Sequence, residues 1–101
     1  MAGRIAARLK ELGVTLPPAP KPVANYVPYI VTGNLVFISG QVSQAGDEKY
    51  YGKAGKDVDI ETAQRAARAC GLAILAQLSA ALDGDLDRVT RCVKLGGFVN
   101  C

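Results

Sequence analysis

The chain contains no histidine and no tryptophan. Without histidine the commonest general base and the commonest metal ligand are missing, so no Ser-His-Asp or Cys-His site can be built from this chain alone. Cysteine is scarce: Cys70, Cys92 and Cys101, an odd number with no Cys-x-x-Cys pair. That pattern argues against a disulfide framework and for a reducing compartment, with the cytoplasm as the expected location, and it is too scattered to suggest zinc. Long apolar runs are absent too. "MAGRIAARLKELGV" offers neither a signal peptide nor a membrane span. Nor is there a marked excess of one charge. Twelve Lys and Arg against nine Asp and Glu leave a net +3, and no basic stripe is interleaved with aromatics. This speaks against nucleic acid as a partner.

What is present is a globular composition. Half of the 101 residues are hydrophobic and 21% are charged. A chain of this size forms one domain at most and can bury roughly two-thirds of its unfolded surface. Residues 1–22 read as a helix and a Pro-rich lead-in, and 23–101 as the core of a single domain over 1–101. The spacing of Ile5, Leu9 and Leu12 predicts a short helix over 4–12, with Gly13 just past its end. "TLPPAPKPVANYVPY" holds all five prolines. It must be extended, because proline removes donors and restricts the residue before it.

"YIVTGNLVFISGQVS" predicts a β-hairpin, with Gly33-Asn34 as a two-residue turn of type I′ or II′. Its second strand is apolar on both faces: Leu35 and Phe37 on one, Val36 and Ile38 on the other. Residues 44–58 are polar, with Gly46, Gly52 and Gly55, and read as a loop with a short strand near Tyr50-Tyr51. Asp59 is an expected N-cap for a helix from Ile60 to about Leu82. Ala63, Ala67, Cys70, Ile74, Leu78 and Leu82 mark one face of it. The small residues Ala66, Ala67, Ala69 and Ala73 allow close approach to a sheet. "DGDLD" ends the helix, and "RVTRCVKLGGFVN" predicts a third strand. The order β-β-loop-α-β favours an α+β fold with one helical layer on one face of a sheet. The other face carries large apolar residues, and a patch of that size marks a subunit interface.

Few motifs carry chemistry. "GKAGKD" resembles a phosphate loop superficially, but the spacing is short and no Ser or Thr comes after Lys56. Asp83, Asp85 and Asp87 alternate as in a calcium loop, yet Arg88 and Lys94 stand where the later Gly and Glu are required. Helix exit and a cap for a brief turn is the better reading. Gly96-Gly97 within a strand points to a bulge, or to close approach of a backbone or ligand. Ser39-Gly40 has two readings. One is a strand end that needs small residues; the other is a hydroxyl and an open backbone N–H that donate to a small anion.

"NYVPYIVTGNLVFISGQVSQ" resembles the signature of the RidA family, also called YjgF, with a Tyr before a Gly-Asn turn and Ser-Gly-Gln after the second strand. The order of the remaining segments resembles that family too: a Gly-rich loop, the helix "ETAQRAARACGLAILAQL", the acidic turn "GDLDRV" and the strand "VTRCVKLGGFVN". The likeness spans about Val23 to Asn100. It implies a chorismate-mutase-like α+β fold, homotrimers with small-molecule sites between subunits, and hydrolysis of reactive enamines and imines to 2-oxo acids and ammonia. It implies no metal or organic cofactor. By position it assigns Tyr26, Ser39, Gly40 and, more weakly, Asn100 to substrate binding, with the Gly40 N–H offered to the substrate. In the family an arginine that grips the substrate carboxylate comes later, and after it a second helix and closing strands. The chain is therefore expected to be a C-terminally truncated member with little or no deaminase activity. "VP" after Tyr26 departs from the polar pair of the best-known deaminases and leaves the substrate open. The competing readings are a non-catalytic trimeric module that binds small carboxylates and, as attached to some relatives, a ribonuclease or translation inhibitor.

Overall fold

The computed structural model describes residues 3–21, 24–45 and 48–101. Pro22, Val23 and the loop glycine Gly46 lie outside them. The elements are α1 (Arg4–Glu11), β1 (Tyr29–Thr32), β2 (Leu35–Ile38), β3 (Gln44–Ala45), β4 (Glu48–Lys49) and α2 (Ile60–Ala81), and then a 3₁₀ turn, Leu86–Arg88. The class is α+β. Among the described residues no helix is long and apolar enough to cross a membrane.

β1 and β2 form the expected antiparallel hairpin, with Tyr29 opposite Ile38 and Thr32 opposite Leu35. Gly33 has φ +57 while Asn34 does not enter the positive region. A positive φ at the first central position alone is the pattern of a type II′ turn, whose twist suits the flanking strands. Cross-strand partners share a face, so Tyr29, Val31, Val36 and Ile38 form one side and Ile30, Thr32, Leu35 and Phe37 the other. On the first side Tyr29, Val36 and Ile38 are half-buried where α2 meets the hairpin, while Val31, nearer the turn, stays 54% exposed. The second is open: Ile30 is 52% exposed, Leu35 45% and Phe37 58%. The two-faced apolar strand thus buries one face on the helix and leaves the other uncovered.

α2 begins where the sequence indicates. The Asp59 carboxylate accepts from the Thr62 N–H at 2.8 Å. The Thr62 side chain first, and then this backbone bond, hold the Asp59 carboxyl below its ordinary value. The helix ends in a Schellman-type bond from the Gly84 N–H to the Ser79 carbonyl at 2.7 Å, with Asp83 left-handed at φ +54. α1 closes the same way, with Val14 N–H on Leu9 O and Gly13 N–H on Lys10 O around Gly13 at φ +69.

Four expectations are corrected. The buried stripe of α2 is Ala69, Ala73, Ala76 and Gln77; of the expected face Leu82, just past the helix, is buried, whereas Ala67 is exposed and Ala63, Cys70, Ile74 and Leu78 are only half-buried. Alanines let the helix axis come close to the hairpin, so the small face wins the contact and the bulky side chains flank it. Leu12 is exposed and falls outside α1. The short strand near Tyr50-Tyr51 is β4, two residues earlier, paired with β3. The third strand does not form. Residues 89–101 run without a ladder, and Val93, Leu95, Phe98 and Val99 are 70–102% exposed. The β-propensity is there, but no strand among the described residues lies beside the segment, and an extended chain is a strand only when its backbone groups are paired.

Ala73, 2% exposed, is the most deeply buried alanine of the α2 stripe. Ala73→Leu forces extra methylenes into that stripe and is expected to cost about 1–3 kcal/mol of stability, read from a urea unfolding midpoint.

Candidate functional site

The lead-in reaches β1 through Tyr26, Val27 and Pro28, and the end of β2 runs beside it. The Ser39 N–H donates to the Pro28 carbonyl at 2.9 Å, and the Ser39 hydroxyl donates to the Val27 carbonyl. These bonds extend the hairpin past its formal end and bring Tyr26 and Ser39 to the same edge. The proton of the hydroxyl is thus committed to Val27, and toward a ligand Ser39 can only accept. Gly40 differs. It is exposed, a Cβ there would meet nothing within 4 Å, and its N–H makes no hydrogen bond among the described residues. Of the Ser39-Gly40 pair, the backbone N–H is the donor available to an anion.

Beside them lies a cleft lined by Pro20, Lys21, Tyr26, Pro28, Gln41 and Gln77. Its volume is about 10 Å³, room for one water molecule. Gln77, 2% exposed, donates from Nε2 to the Pro20 carbonyl at 2.7 Å, and Gln41 donates to the Ser39 carbonyl at 2.8 Å. The sequence pattern does not single out Gln41, Gln77 or Lys21 as site residues. Gln77 could have been found as a polar residue next to the alanine stripe of α2. Gln41 belongs to the Ser-Gly-Gln triplet, and Lys21 carries no local signal.

Asn100 stands apart from this group. Its carbonyl accepts from the Ala54 N–H at 2.8 Å and its side chain donates to the Gly52 carbonyl at 3.3 Å, and none of its hydrogen bonds reaches Tyr26, Ser39 or Gly40. The phosphate-loop reading of residues 52–57 fails on geometry as well as spacing. The N–H groups of residues 53–58 all point inward, to the Asp57 carboxylate and to carbonyls of Lys53, Val58 and Asn100. The alternating aspartates are caps. Asp85 accepts from the Asp87 N–H at 3.2 Å. Asp87 reaches across to the N–H groups of Arg4 and Ile5 at 2.7 and 2.8 Å. The bond from Ile5, then that from Arg4, holds the Asp87 carboxyl below its ordinary value. Burial pushes the Cys70 thiol up, which disfavours the thiolate a nucleophile needs. Among the described residues no three Cys, Asp or Glu side chains are grouped as a metal-binding set.

The chain is 45% identical over 100 residues to Protein TCP17 of Trypanosoma cruzi, covering 98% of this chain and 62% of that protein. Two solved structures are similar. One is the protein Atu1372 of unknown function from Agrobacterium tumefaciens, 49% identical at a TM-score of 0.72, covering 86% of this chain and 53% of that one. The other, from Shewanella oneidensis, is named as a candidate endoribonuclease; it is 32% identical at a TM-score of 0.75, covering 82% and 55%. The chain therefore spans a little over half the length of each relative. No protein-family model matches it. The likeness to the Shewanella oneidensis structure is consistent with the RidA-like fold that the sequence resemblance implies.

The Ser39 hydroxyl is a fastener between lead-in and hairpin. Ser39→Ala is expected to lower stability by about 0.5–1.5 kcal/mol through the lost bond to Val27, measured by denaturant titration.

Proposed function

We propose that the protein hydrolyses small reactive enamines and imines to 2-oxo acids and ammonia, in a cleft that a second subunit completes. The observation that carries this reading is the Gly40 N–H. It is an unpartnered backbone donor in open space at the end of β2, on the edge that also holds Tyr26. The resemblance of the sequence to the RidA family and the likeness to the two solved structures support it.

The chemistry asks little of the protein. Water adds across the C=N bond of an imino acid, its oxygen to carbon and a proton to nitrogen. The carbinolamine then loses ammonia and leaves the 2-oxo acid. The imine carbon is already electrophilic, so the site has to orient substrate and water. Gly40 N–H would hold a carboxylate oxygen, the Tyr26 hydroxyl would orient the water or the substrate nitrogen, and the Ser39 oxygen would accept. One chain offers space for a single water beside these groups, so the remaining walls would come from a neighbouring copy. The uncovered face of Ile30, Leu35 and Phe37 would pack at the centre of a homotrimer.

A second reading is a trimeric module that binds small carboxylates without turnover. It is favoured by the cleft lining, which contains amides, a tyrosine and a lysine but no carboxylate to act as base. The name of the Shewanella oneidensis relative raises RNA cleavage, against which stands the lack of histidine in this chain.

Two measurements test the proposal. A version of the protein that carries the carboxylate-gripping arginine implied by the family resemblance is expected to speed release of ammonia and 2-oxo acid from an imine generated in situ, whereas the 101-residue chain is expected to do so little or not at all. Saturable binding of a 2-oxo acid with no acceleration would establish the second reading instead. Sedimentation is expected to show a trimer that Phe37→Asp dissociates, because assembly would bury an unpaired charge at a cost of several kcal/mol; a well-folded wild-type monomer at micromolar concentration would remove the shared cleft.

A further inference from the structure

The N-terminal helix is attached to the rest of the protein in an unusual way. α1 buries none of its residues, and its contacts are chiefly with the 3₁₀ turn Leu86–Arg88. It has no side-chain cap of its own, since Gly3 occupies the N-cap position. The cap comes from 83 residues away: Asp87 Oδ2 accepts from the Arg4 N–H at 2.7 Å and Oδ1 from the Ile5 N–H at 2.8 Å. The two oxygens satisfy two N–H groups that a helix start otherwise leaves unpaired, and the negative charge sits at the positive end of the helix dipole. Gly3 makes the approach possible, because a Cβ on it would lie 2.7 Å from Asp87 Oδ2.

Behind the latch α1 fits loosely. A cavity of about 150 Å³ separates it from the body, with Ala6, Leu9 and Leu16 on one side and Ser79, Asp85 and Leu86 on the other. The cavity is open to solvent, and side chains that face each other across it make few dispersion contacts. The chain then turns at Gly13, whose left-handed backbone stands in open space, and runs to Pro20. There the Gln77 amide holds the carbonyl at 2.7 Å. Residues 3–19 are therefore fastened at two ends by two unrelated side chains, Asp87 with two hydrogen bonds and Gln77 with one.

We propose that residues 3–19 form a strap, that Asp87 is its latch, and that loss of the Asp87 bonds frees α1 while the hairpin and α2 stay folded. Opening exposes Leu86, 8% exposed in the closed form, and the α1 side of the cavity. The hinge lies between Gly13 and Pro20, because the Gln77 bond does not depend on Asp87.

Hydrogen exchange read by mass spectrometry tests the latch in two variants. Asp87→Asn retains the shape but leaves one oxygen to accept, with an NH₂ group facing the second N–H. Gly3→Ala keeps the carboxylate and pushes a methyl group into it. In both, the segment 4–14 is expected to exchange several-fold faster than in the parent protein, with 66–80 in α2 unchanged. Unchanged exchange over 4–14 in both variants overturns the latch. Equal acceleration of 4–14 and 66–80 overturns it as well, since Asp87 would then support the fold as a whole.

Discussion

The contact on which the rest of the molecule depends is the approach of α2 to the hairpin across Ala69, Ala73 and Ala76. Side chains this short let the helix settle close to Tyr29, Val36 and Ile38, each half-buried. Gln77 is buried at the end of that stripe, and it is the one long polar group admitted there. Its amide finds the Pro20 carbonyl, so the helix that covers the sheet also fixes the proline-rich lead-in. Through the lead-in it sets where Tyr26 enters the edge beside Ser39 and Gly40. A buried amide is tolerated only with a partner, and here the partner is what ties the N-terminal third to the core.

The same small-residue contact explains what is left open. One helix covers one side of a two-stranded sheet. Ile30, Leu35 and Phe37 remain half exposed on the other, and neither strand carries a charge or a proline to discourage pairing at its edge. Residues 89–100 add Val93, Leu95 and Phe98 in an extended run with no ladder. Apolar surface of this extent exceeds what a lone chain ordinarily leaves wet, and beside Tyr26 the described residues enclose space for one water.

The acidic turn after α2 shows how local chemistry and remote contact divide one motif. Asp83 takes the left-handed position after the helix, Asp85 caps the 3₁₀ turn, and Asp87 leaves the turn to cap α1. Two of the three act within a few residues of themselves. The third acts on a helix at the far end of the sequence, and it makes the N-terminal helix conditional on one carboxylate.

Local backbone chemistry determined a good part of this protein. The Gly33-Asn34 turn sets the hairpin register, Asp59 starts α2, and Gly13 ends α1, because each depends on residues within one turn of itself. The α+β class and the two faces of β2 come from the periods of the apolar residues. Tertiary structure decided the rest. The buried face of α2 was legible only as a set of small residues, since which stripe goes inside depends on how close the sheet can come. The strand expected over 89–100 has the right side chains, but strand formation needs a neighbour that a local pattern does not contain. Asn100 was placed near the site by position in the chain, whereas its hydrogen bonds hold it to Gly52 and Ala54. Ser39 and Gly40 were legible as a pair, yet only the fold assigned the hydroxyl proton to Val27 and left the Gly40 N–H without a partner among the described residues. Asp87 and Gln77 were invisible as fasteners, because each acts on a backbone group more than fifty residues away, and sequence spacing carries no record of such a meeting.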